Sequence, residues 1–420
     1  MDKFIIKGGK KLKGRVKVSG AKNSSLALMP ATLLNNDVNT IYNTPEVNDI
    51  YTMIKLLQNL GVGTEFINHK LILDTKSIIS QIAPYEHVKK MRASVYVLGP
   101  LLAKYGFAKV SLPGGCAWGP RPINLHLEAM KKLGAEIELE EGYIIAKSNK
   151  LNGAKINFDI SSVGATGNAM MAAVLAKGST LIVNAAIEPE IIQLSEFLVK
   201  MGAKIYGVGT TSIEIEGVDE LSGTVIENIP DRIEVGTLAV AAAITNSNIE
   251  LEGVRIDHVE AILNKLELCG VNLSYNNKIL SLSNEDNISS IDIVTSVYPG
   301  FPTDMQAQWA ALMCLANGTS TIIDNIYYDR FSYVPELNRL GANIEIVNNS
   351  AVVRGVKSLK GAKVMSTDLR ASASLVLAGL AAEGVTEVLR IYHLDRGYQR
   401  IEEKLRLLGA DIERVQTTEY

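Results

Sequence analysis

Cys116 lies in a segment whose composition suggests chemistry. The run 112–126, LPGGCAWGPRPINLH, combines glycines, prolines and one cysteine without helical or strand periodicity, which predicts a loop. An isolated cysteine is usually buried and inert. Here the turn-forming neighbours and the nearby cation Arg121 favour a reactive thiol, whereas Cys269 and Cys314 lie in apolar helical runs and are predicted to be core residues.

A second set of polar residues recurs where a predicted strand leads into a small-residue-rich helix. The junctions are SGAKNSS, VKKMRAS, SSVGATG, IPDRIEVG, PGFPTDMQAQ and STDLRASAS. The residues of interest in them are Lys22, Asn23, Arg92, Ser162, Val163, Gly164, Asp231, Arg232, Thr303, Asp304, Asp368 and Arg370. A helix N-terminus offers N–H groups and a positive dipole end, so cations added there predict anion binding.

The simpler interpretation of these junctions is helix capping. Ser24, Ser162 and Ser366 are predicted on this view to be ordinary N-caps. Capping does not account for lysine and arginine at the starts of buried helices, which favours the functional interpretation.

An internal repeat positions these junctions. A helical segment recurs six times and ends each time in the same five-residue motif. The motif is an apolar residue, then glycine, then alanine or valine, then a variable residue and usually a second apolar residue. The glycines, 68 to 73 residues apart, are Gly61, Gly134, Gly202, Gly270, Gly341 and Gly409. Each is predicted to be a left-handed helix C-cap. After five copies a short alternating run predicts the second strand of a hairpin: KLILDT, YIIAKS, SIEIEG, KILSLS and AVVRGV.

Together the elements predict six βαβαββ units in an α/β protein. The last copy lacks its second hairpin strand, and the N-terminal FIIKGG resembles it, so both chain ends are predicted to pair in one domain. Three units per domain place one domain at 22–229 and the other at 1–21 with 230–420. Two facing domains would concentrate the helix N-termini in an interdomain cleft. An open solenoid is the alternative, but solenoids usually have polar caps at their ends.

Composition narrows the function class. The net charge of −3 gives no general attraction to nucleic acid or to an anionic membrane. No apolar run is long enough for a signal peptide or a membrane span, and three scattered cysteines favour the cytoplasm. Histidine and cysteine spacings match no metal site, so neither a metal nor a cofactor is expected.

The chain resembles the UDP-N-acetylglucosamine 1-carboxyvinyltransferases of the enolpyruvyl transferase superfamily, from about residue 3 to residue 415. The shared blocks include SGAKNSSLALMPA, LPGGCAWGPRPINLHLEAMKKLGAEI, PGFPTDMQAQ and TDLRASASLVLAGLAAEG. The resemblance implies an inside-out α/β barrel in each of two domains. It implies transfer of an enolpyruvyl group from phosphoenolpyruvate to UDP-N-acetylglucosamine in peptidoglycan synthesis, with small molecules as the only partners.

The resemblance also implies roles for individual residues. Phosphoenolpyruvate ligands would be Lys22, Asn23, Arg121, Asp368, Leu369, Arg370 and Arg396. Nucleotide-sugar ligands would be Asn23, Arg92, Arg121, Pro122, Ile123, Asn124, Leu125, Ser162, Val163, Gly164, Thr303, Asp304 and Ile326. Supporting residues would be His126, Glu188, Asp231, Arg232 and Arg330. Cys116 matches the loop cysteine that donates a proton and binds fosfomycin, and Asp304 matches the candidate base, with Lys22 and Arg396 completing the catalytic set.

Three positions depart from the family pattern. Ile160 stands where some members of the family carry a lysine near the diphosphate, and Asn124 where some carry an aspartate near the uracil. Tyr96 replaces a tryptophan near the sugar. These replacements predict an altered affinity for the sugar nucleotide and an unchanged reaction. Two alternatives are enolpyruvyl transfer to shikimate 3-phosphate and a non-catalytic nucleotide-sugar sensor. The PGGC loop argues against the first, and retention of the proton-transfer residues argues against the second.

Overall fold

A computed structural model describes residues 2–89, 91–112, 123–284 and 288–418. The chain divides into two compact units. The first unit is Met1–Ser19 together with Pro230–Tyr420, and the second unit is Gly20–Ile229.

Strands and helices alternate along both units. The strands are β1 (Asp2–Lys7), β2 (Lys13–Lys17), β3 (Val38–Tyr42), β4 (Gly63–Ile67), β5 (Lys70–Asp74), β6 (Ile82–Ala83), β7 (Phe107–Ser111), β8 (Glu136–Glu140), β9 (Tyr143–Lys147), β10 (Lys155–Asn157), β11 (Ser179–Val183), β12 (Lys204–Tyr206), β13 (Ser212–Glu216), β14 (Val225–Glu227), β15 (Asn248–Glu252), β16 (Asn272–Asn276), β17 (Ile279–Ser283), β18 (Ile293–Thr295), β19 (Thr319–Asp324), β20 (Asn343–Val347), β21 (Ser350–Arg354), β22 (Lys363–Met365), β23 (Val385–Leu389) and β24 (Asp411–Gln416). The α-helices are α1 (Lys22–Ala31), α2 (Asn48–Leu60), α3 (Tyr85–Val88), α4 (Leu98–Tyr105), α5 (Asn124–Lys132), α6 (Val163–Ala173), α7 (Pro189–Lys200), α8 (Arg232–Ile244), α9 (Glu260–Leu268), α10 (Gln306–Met313), α11 (Val334–Arg339), α12 (Leu369–Ala381) and α13 (Ile401–Leu407). Short 3₁₀ helices span Thr32–Leu34, Arg92–Val97, Ile256–His258, Thr303–Met305 and Ile391–Arg396.

The strands share one pairing scheme. Across the described ranges they form six four-stranded sheets, each with one parallel pair followed by two antiparallel pairs. The second unit contains β14-β3-β5-β4, β6-β7-β9-β8 and β10-β11-β13-β12, and the first unit contains β2-β15-β17-β16, β18-β19-β21-β20 and β22-β23-β1-β24. The five predicted hairpins are confirmed as β4–β5, β8–β9, β12–β13, β16–β17 and β20–β21.

The two ends of the chain pair in one sheet. Strand β1 lies between β23 and β24, with Phe4 opposite Val388 on one side and Arg414 on the other. Phe4 is fully buried, and the Arg414 guanidinium lies 5.1 Å from its ring centroid. The prediction that the N-terminal strand completes the last hairpin is therefore confirmed.

The repeated glycines terminate helices as predicted. Helix α2 ends at Leu60, and Gly61 follows with φ of 105°. The six repeat glycines have φ between 91° and 111°, a region that is strained for residues with a Cβ atom.

Each unit has its own apolar core around small-residue-rich helices. In α8 every residue from Ile233 to Ile244 is buried. Cys269 and Cys314 lie in the core of the first unit, where burial raises the pKa of each thiol to about 12, which confirms their assignment as core residues. In the described parts of the chain no helix is long and apolar enough to cross a membrane.

Candidate active site

Asp304 is the centre of a charged cluster in the first unit. It lies in the 3₁₀ turn Thr303–Met305 that leads into α10. One carboxylate oxygen accepts a bond from Arg330 Nη2 at 2.9 Å, and the other accepts one from Arg370 Nη2 at 2.7 Å. Two guanidinium groups therefore favour the ionised form of Asp304. Burial alone would lower the pKa of Arg370, but the Asp304 carboxylate offsets this, so the pKa lies above its ordinary value.

A second carboxylate, that of Asp324, forms hydrogen bonds to residues of the loops beside this cluster. Asp324, at the end of β19, is fully buried. Its oxygens accept bonds from the hydroxyls of Thr295 and Thr303 at 2.7 and 2.6 Å, and from the backbone N–H of Ile326 at 2.9 Å. Arg330 Nη1 in turn donates to the Thr303 hydroxyl at 2.9 Å. Asp324 thus fixes Thr303 and Ile326, although sequence reasoning assigned it no role.

Asp368 begins α12 as its N-cap. Its Oδ1 accepts bonds from the N–H groups of Arg370 and Ala371 at 2.8 and 3.2 Å, while Oδ2 accepts one from the Ser332 hydroxyl at 3.3 Å. This cap fixes the start of the helix that carries Arg370. A narrow recess beside this helix start is lined by Thr303, Gln306, Ala307, Arg330, Tyr333, Asp368, Arg370 and Ala371.

Arg396 lies at the end of the 3₁₀ helix Ile391–Arg396 and is half-buried. Left-handed residues flank this segment, Arg390 with φ of 57° and Arg400 with φ of 41°. Asp395 accepts two bonds from Arg414, at 2.7 and 3.0 Å. Because Arg414 lies in β24, these bonds fix Asp395, the residue before Arg396, against that strand.

Tyr398, two residues beyond Arg396, is a residue that sequence reasoning missed. It is 2% exposed, and its hydroxyl lies 2.8 Å from Thr237 Oγ1. The same hydroxyl accepts bonds from Gln308 Nε2 and Arg370 Nη1, both at 3.1 Å. Tyr398 therefore connects the Arg396 segment with the guanidinium that binds Asp304.

Asp231 and Arg232, which also belong to the first unit, lie at the start of α8. Asp231 is the N-cap and accepts bonds from the N–H groups of Ile233 and Glu234 at 2.9 and 3.1 Å. The Arg232 guanidinium lies 5.7 Å from the ring centroid of Tyr298. Arg232 lines a different recess from the one beside Arg370.

Lys22 and Asn23 are the first two residues of α1 in the second unit. Lys22 is 9% exposed, and its Nζ lies 3.2 Å from Asp49 Oδ2, whereas Asn23 is exposed. The prediction that both residues lie at the start of a helix is therefore confirmed. The ion pair with Asp49 gives Lys22 a structural partner.

His126 and the start of α6 form a second cluster in this unit. Ser162 caps α6 and accepts a bond from the Ala165 N–H at 3.3 Å. A Cβ atom added to Gly164 would lie 3.1 Å from His126 Nε2. The Tyr96 hydroxyl donates to the Val163 carbonyl oxygen at 3.3 Å, and burial raises the pKa of Tyr96.

The remaining predicted residues of the second unit lie at element boundaries. The start of α5 includes three of them: Ile123 is half-buried, Asn124 is exposed and Leu125 is buried. Arg92 is half-buried at the start of a 3₁₀ helix, and Glu188 immediately precedes α7 with 8% of its surface exposed. Ile160, at 65% exposure, is among the more exposed apolar side chains.

Several sequence expectations need correction. Ser162 is an N-cap as predicted, but Ser24 lies inside α1 and Asp368 rather than Ser366 caps α12. Arg92 and Asp304 lie in 3₁₀ turns that precede α-helices. Lys22, Arg232 and Arg370 also have structural partners, so the position of these cations alone does not indicate anion binding.

Cys116, Arg121 and Pro122 lie outside the described residues. In the described ranges no group of three or more His, Cys, Asp or Glu side chains could hold a metal ion.

Comparison with known proteins identifies the family. The sequence profile of the EPSP synthase (3-phosphoshikimate 1-carboxyvinyltransferase) family matches residues 6–405. The chain therefore belongs to the EPSP synthase family of enolpyruvyl transferases. The fold is similar to that of the enolpyruvyl transferase NikO from Streptomyces tendae, with a TM-score of 0.90 at 24% identity over 99% of each chain. An EPSP synthase from Acinetobacter baumannii gives a TM-score of 0.78 at 18% identity, over 99% of this chain and 100% of that one.

Relatives within the family are much more similar in sequence. The UDP-N-acetylglucosamine 1-carboxyvinyltransferase of Chloroherpeton thalassium is 59% identical over 100% of this chain and 99% of its own length. The protein of the same name from Chlorobium limicola is 56% identical over the full length of both chains.

Proposed function

We propose that this chain transfers the enolpyruvyl group of phosphoenolpyruvate to the 3′-hydroxyl of UDP-N-acetylglucosamine and releases phosphate, the first committed step of peptidoglycan synthesis. One observation carries the proposal. Relatives with 54–59% identity over 99–100% of their length bear the name of this reaction. Its compartment is the cytoplasm, as the cysteine usage of the sequence favours.

The reaction is an addition followed by an elimination. The sugar oxygen forms a bond to C2 of phosphoenolpyruvate and loses its proton, while C3 gains a proton, giving a tetrahedral ketal. The C2–O bond to phosphate then breaks as C3 loses a proton, which restores the double bond. The site must therefore supply an acid, an acceptor for the hydroxyl proton, and cations for the phosphate and carboxylate groups.

In this proposal Cys116 is the acid for C3. Lys22, Arg121, Arg370 and Arg396 bind the phosphate and carboxylate groups, because guanidinium and ammonium groups form strong charge-assisted bonds to them. Asp368 supports this set, since it caps the helix on which Arg370 lies.

Asp304 positions the sugar hydroxyl in this mechanism. Each of its oxygens already accepts a bond from a guanidinium group, Arg330 on one side and Arg370 on the other. Such bonds favour the carboxylate and weaken it as a base. An oxygen accepts more than one hydrogen bond, so the carboxylate can still orient a hydroxyl. In this proposal the hydroxyl lies beside Arg370, which is bonded to Asp304 and is assigned to phosphoenolpyruvate.

The sugar nucleotide is assigned to residues at the starts of α5, α6 and α10. Near the starts of these three helices they are Arg121, Pro122, Ile123, Asn124, Leu125, Ser162, Val163, Gly164, Thr303 and Asp304. The set also includes Asn23 in α1, Arg92 in the 3₁₀ helix before α4, and Ile326 after β19. In α6 the first N–H groups have no acceptor within the helix, which suits a diphosphate. Exposed Ile160 adds no cation there, so this chain relies on helix N–H groups where some relatives add a lysine.

We also propose the finer description of the fold, an inside-out α/β barrel of three βαβαββ repeats in each unit. The common pairing scheme of the six sheets supports it. So does the left-handed glycine after each repeat helix.

An acceptor comparison tests the proposed function. Purified protein is given phosphoenolpyruvate with UDP-N-acetylglucosamine, with shikimate 3-phosphate, or with neither, and phosphate is measured continuously. We expect phosphate only with the sugar nucleotide. Release with shikimate 3-phosphate alone would favour the sister reaction, and no release with either acceptor would favour a non-catalytic sensor.

A further inference from the structure

His126 is almost fully buried in the second unit, yet one edge of its ring faces a helix start. It is the third residue of α5 and is 7% exposed. Its Nδ1 atom lies 3.0 Å from the Nδ2 atom of Asn168 in α6. The protonation of the ring therefore depends on which way the Asn168 amide is oriented.

The surroundings of Asn168 permit one orientation. The backbone N–H of Gly99 donates to Asn168 at 2.7 Å, so the atom that faces it must be the amide oxygen. The amide nitrogen then faces the Val95 carbonyl oxygen at 2.9 Å and the His126 ring. An NH₂ group has two hydrogens, and these two acceptors use both.

The ring of His126 must then accept a hydrogen bond at Nδ1. A neutral imidazole that accepts at Nδ1 carries its proton on Nε2. The ring is neutral at physiological pH, since burial, aided by the charge of Arg92, lowers the pKa of His126 to about 4.

The protonated edge of the ring lies against the first turn of α6. A Cβ atom on Gly164 would be 3.1 Å from both Nε2 and Cε1 of His126, closer than an ordinary van der Waals contact, so the glycine lets the ring lie this close to the helix. Ser162 and Gly164 belong to the helix start assigned above to the sugar nucleotide. An Nε2–H group there adds a hydrogen-bond donor without a second charge beside Arg92.

We propose that Asn168 is a positioning residue that holds His126 as the Nε2–H tautomer, so that His126 presents an uncharged hydrogen-bond donor to the sugar nucleotide at the start of α6. The inference rests on the proposed function for the identity of the ligand. The tautomer itself can be tested without any substrate.

The first experiment is ¹⁵N NMR of the full chain labelled at histidine. The chain has only five histidines, so a spectrum of His126→Gln assigns the signal. In the wild-type protein we expect a protonated Nε2 and an unprotonated Nδ1 that do not change between about pH 6 and 8. A protonated Nδ1, or titration within this range, would overturn the proposal. Saturating UDP-N-acetylglucosamine should shift the Nε2 signal more than the Nδ1 signal.

The variant Asn168→Asp tests the positioning role. Aspartate can still accept from the Gly99 N–H, but it places a carboxylate oxygen against His126 Nδ1 in place of a donor. We expect Nδ1 to become protonated and KM for UDP-N-acetylglucosamine to rise about tenfold or more, with kcat less affected. Asn284→Asp is the matched control, because Asn284 is also buried and donates to the Ala243 carbonyl oxygen at 3.1 Å in the first unit. It should change neither the His126 signal nor this KM.

The outcomes separate the two proposals. If Nδ1 becomes protonated in Asn168→Asp while KM for UDP-N-acetylglucosamine is unchanged, the positioning role is wrong and the proposed function stands. If the wild-type protein does not use UDP-N-acetylglucosamine, the proposed function is wrong whatever the tautomer. If Asn168→Asp does not fold, the wild-type spectrum with and without UDP-N-acetylglucosamine still decides the tautomer and its contact with the ligand.

Discussion

Replacing Tyr398 with phenylalanine isolates one hydroxyl of the buried network around Arg370. The change removes the contacts of that hydroxyl with Thr237 Oγ1 at 2.8 Å and with Gln308 Nε2 and Arg370 Nη1 at 3.1 Å. It keeps the aromatic ring, whose centroid lies 5.5 Å from the Arg370 guanidinium. The variant therefore tests the hydrogen bonds without creating a cavity.

The structure sets the size of the effect. Gln308 Nε2 retains the Asp304 carbonyl oxygen at 2.9 Å as an acceptor, so the loss of its bond to Tyr398 lowers the free energy of unfolding only slightly. Arg370 Nη1 loses an acceptor within a site where Tyr398 is 2% exposed. A bond to a charged group contributes about 1.5–3 kcal/mol and a neutral one about 1 kcal/mol, so we expect a loss of about 3 kcal/mol in the free energy of unfolding. If Arg370 moves, kcat/KM for phosphoenolpyruvate should fall about tenfold, equivalent to about 1.4 kcal/mol.

Tryptophan fluorescence provides the stability assay. Trp309 is fully buried in α10 of the first unit, and Trp118 is the other tryptophan of the chain. In a Trp118→Phe background, urea unfolding followed at Trp309 reports on the unit that contains Tyr398. The control is Tyr392→Phe, in the same segment but 43% exposed, which should change stability by less than about 0.5 kcal/mol. If Tyr398→Phe equals this control in stability and in kcat/KM, the network does not position Arg370.

Three further predictions concern Cys116, the thiols together, and His126. Cys116→Ser should lower turnover about 100-fold or more while UDP-N-acetylglucosamine binding, measured by calorimetry, is retained; a near-wild-type rate would exclude Cys116 as the acid. Native protein should react with a thiol reagent at Cys116 alone and at three cysteines when unfolded, because burial raises the pKa of Cys269 and Cys314 to about 12. A second thiol that reacts quickly in the native protein would contradict this. Since the pKa of His126 falls from 6.5 to about 4 on folding, the unfolded chain binds an extra proton between these values. Stability should therefore fall by up to about 3 kcal/mol as pH drops through this window, and His126→Gln should reduce the fall.

The left-handed glycines and the hairpins could be predicted from the sequence because their signals are local. A helix that ends in a left-handed conformation needs glycine, and the six glycines all have positive φ. The hairpins follow from alternating runs that flank short turns. The pairing of β1 with β24 could also be predicted, because the last repeat lacks a strand that the N-terminus resembles.

The site was less predictable because its contacts join residues distant in the chain. Ser24 and Ser366 were assigned as caps from residue type alone, but a cap depends on the residue at which the helix begins, and Asp368 occupies that position in α12. Asn168 and Tyr398 gave no local signal, since an asparagine in a helix or a tyrosine in a loop is ordinary. Their roles arise from partners such as Val95 and Thr237, 73 and 161 residues away.

Product analysis tests the central claim most directly. The protein is incubated with phosphoenolpyruvate and UDP-N-acetylglucosamine, and phosphate and the modified sugar nucleotide are quantified by colorimetry and mass spectrometry. The proposed reaction predicts one phosphate for each sugar nucleotide that gains an enolpyruvyl group on its 3′-oxygen. Phosphate without that product, or an unchanged sugar nucleotide after prolonged incubation with folded protein, would contradict it.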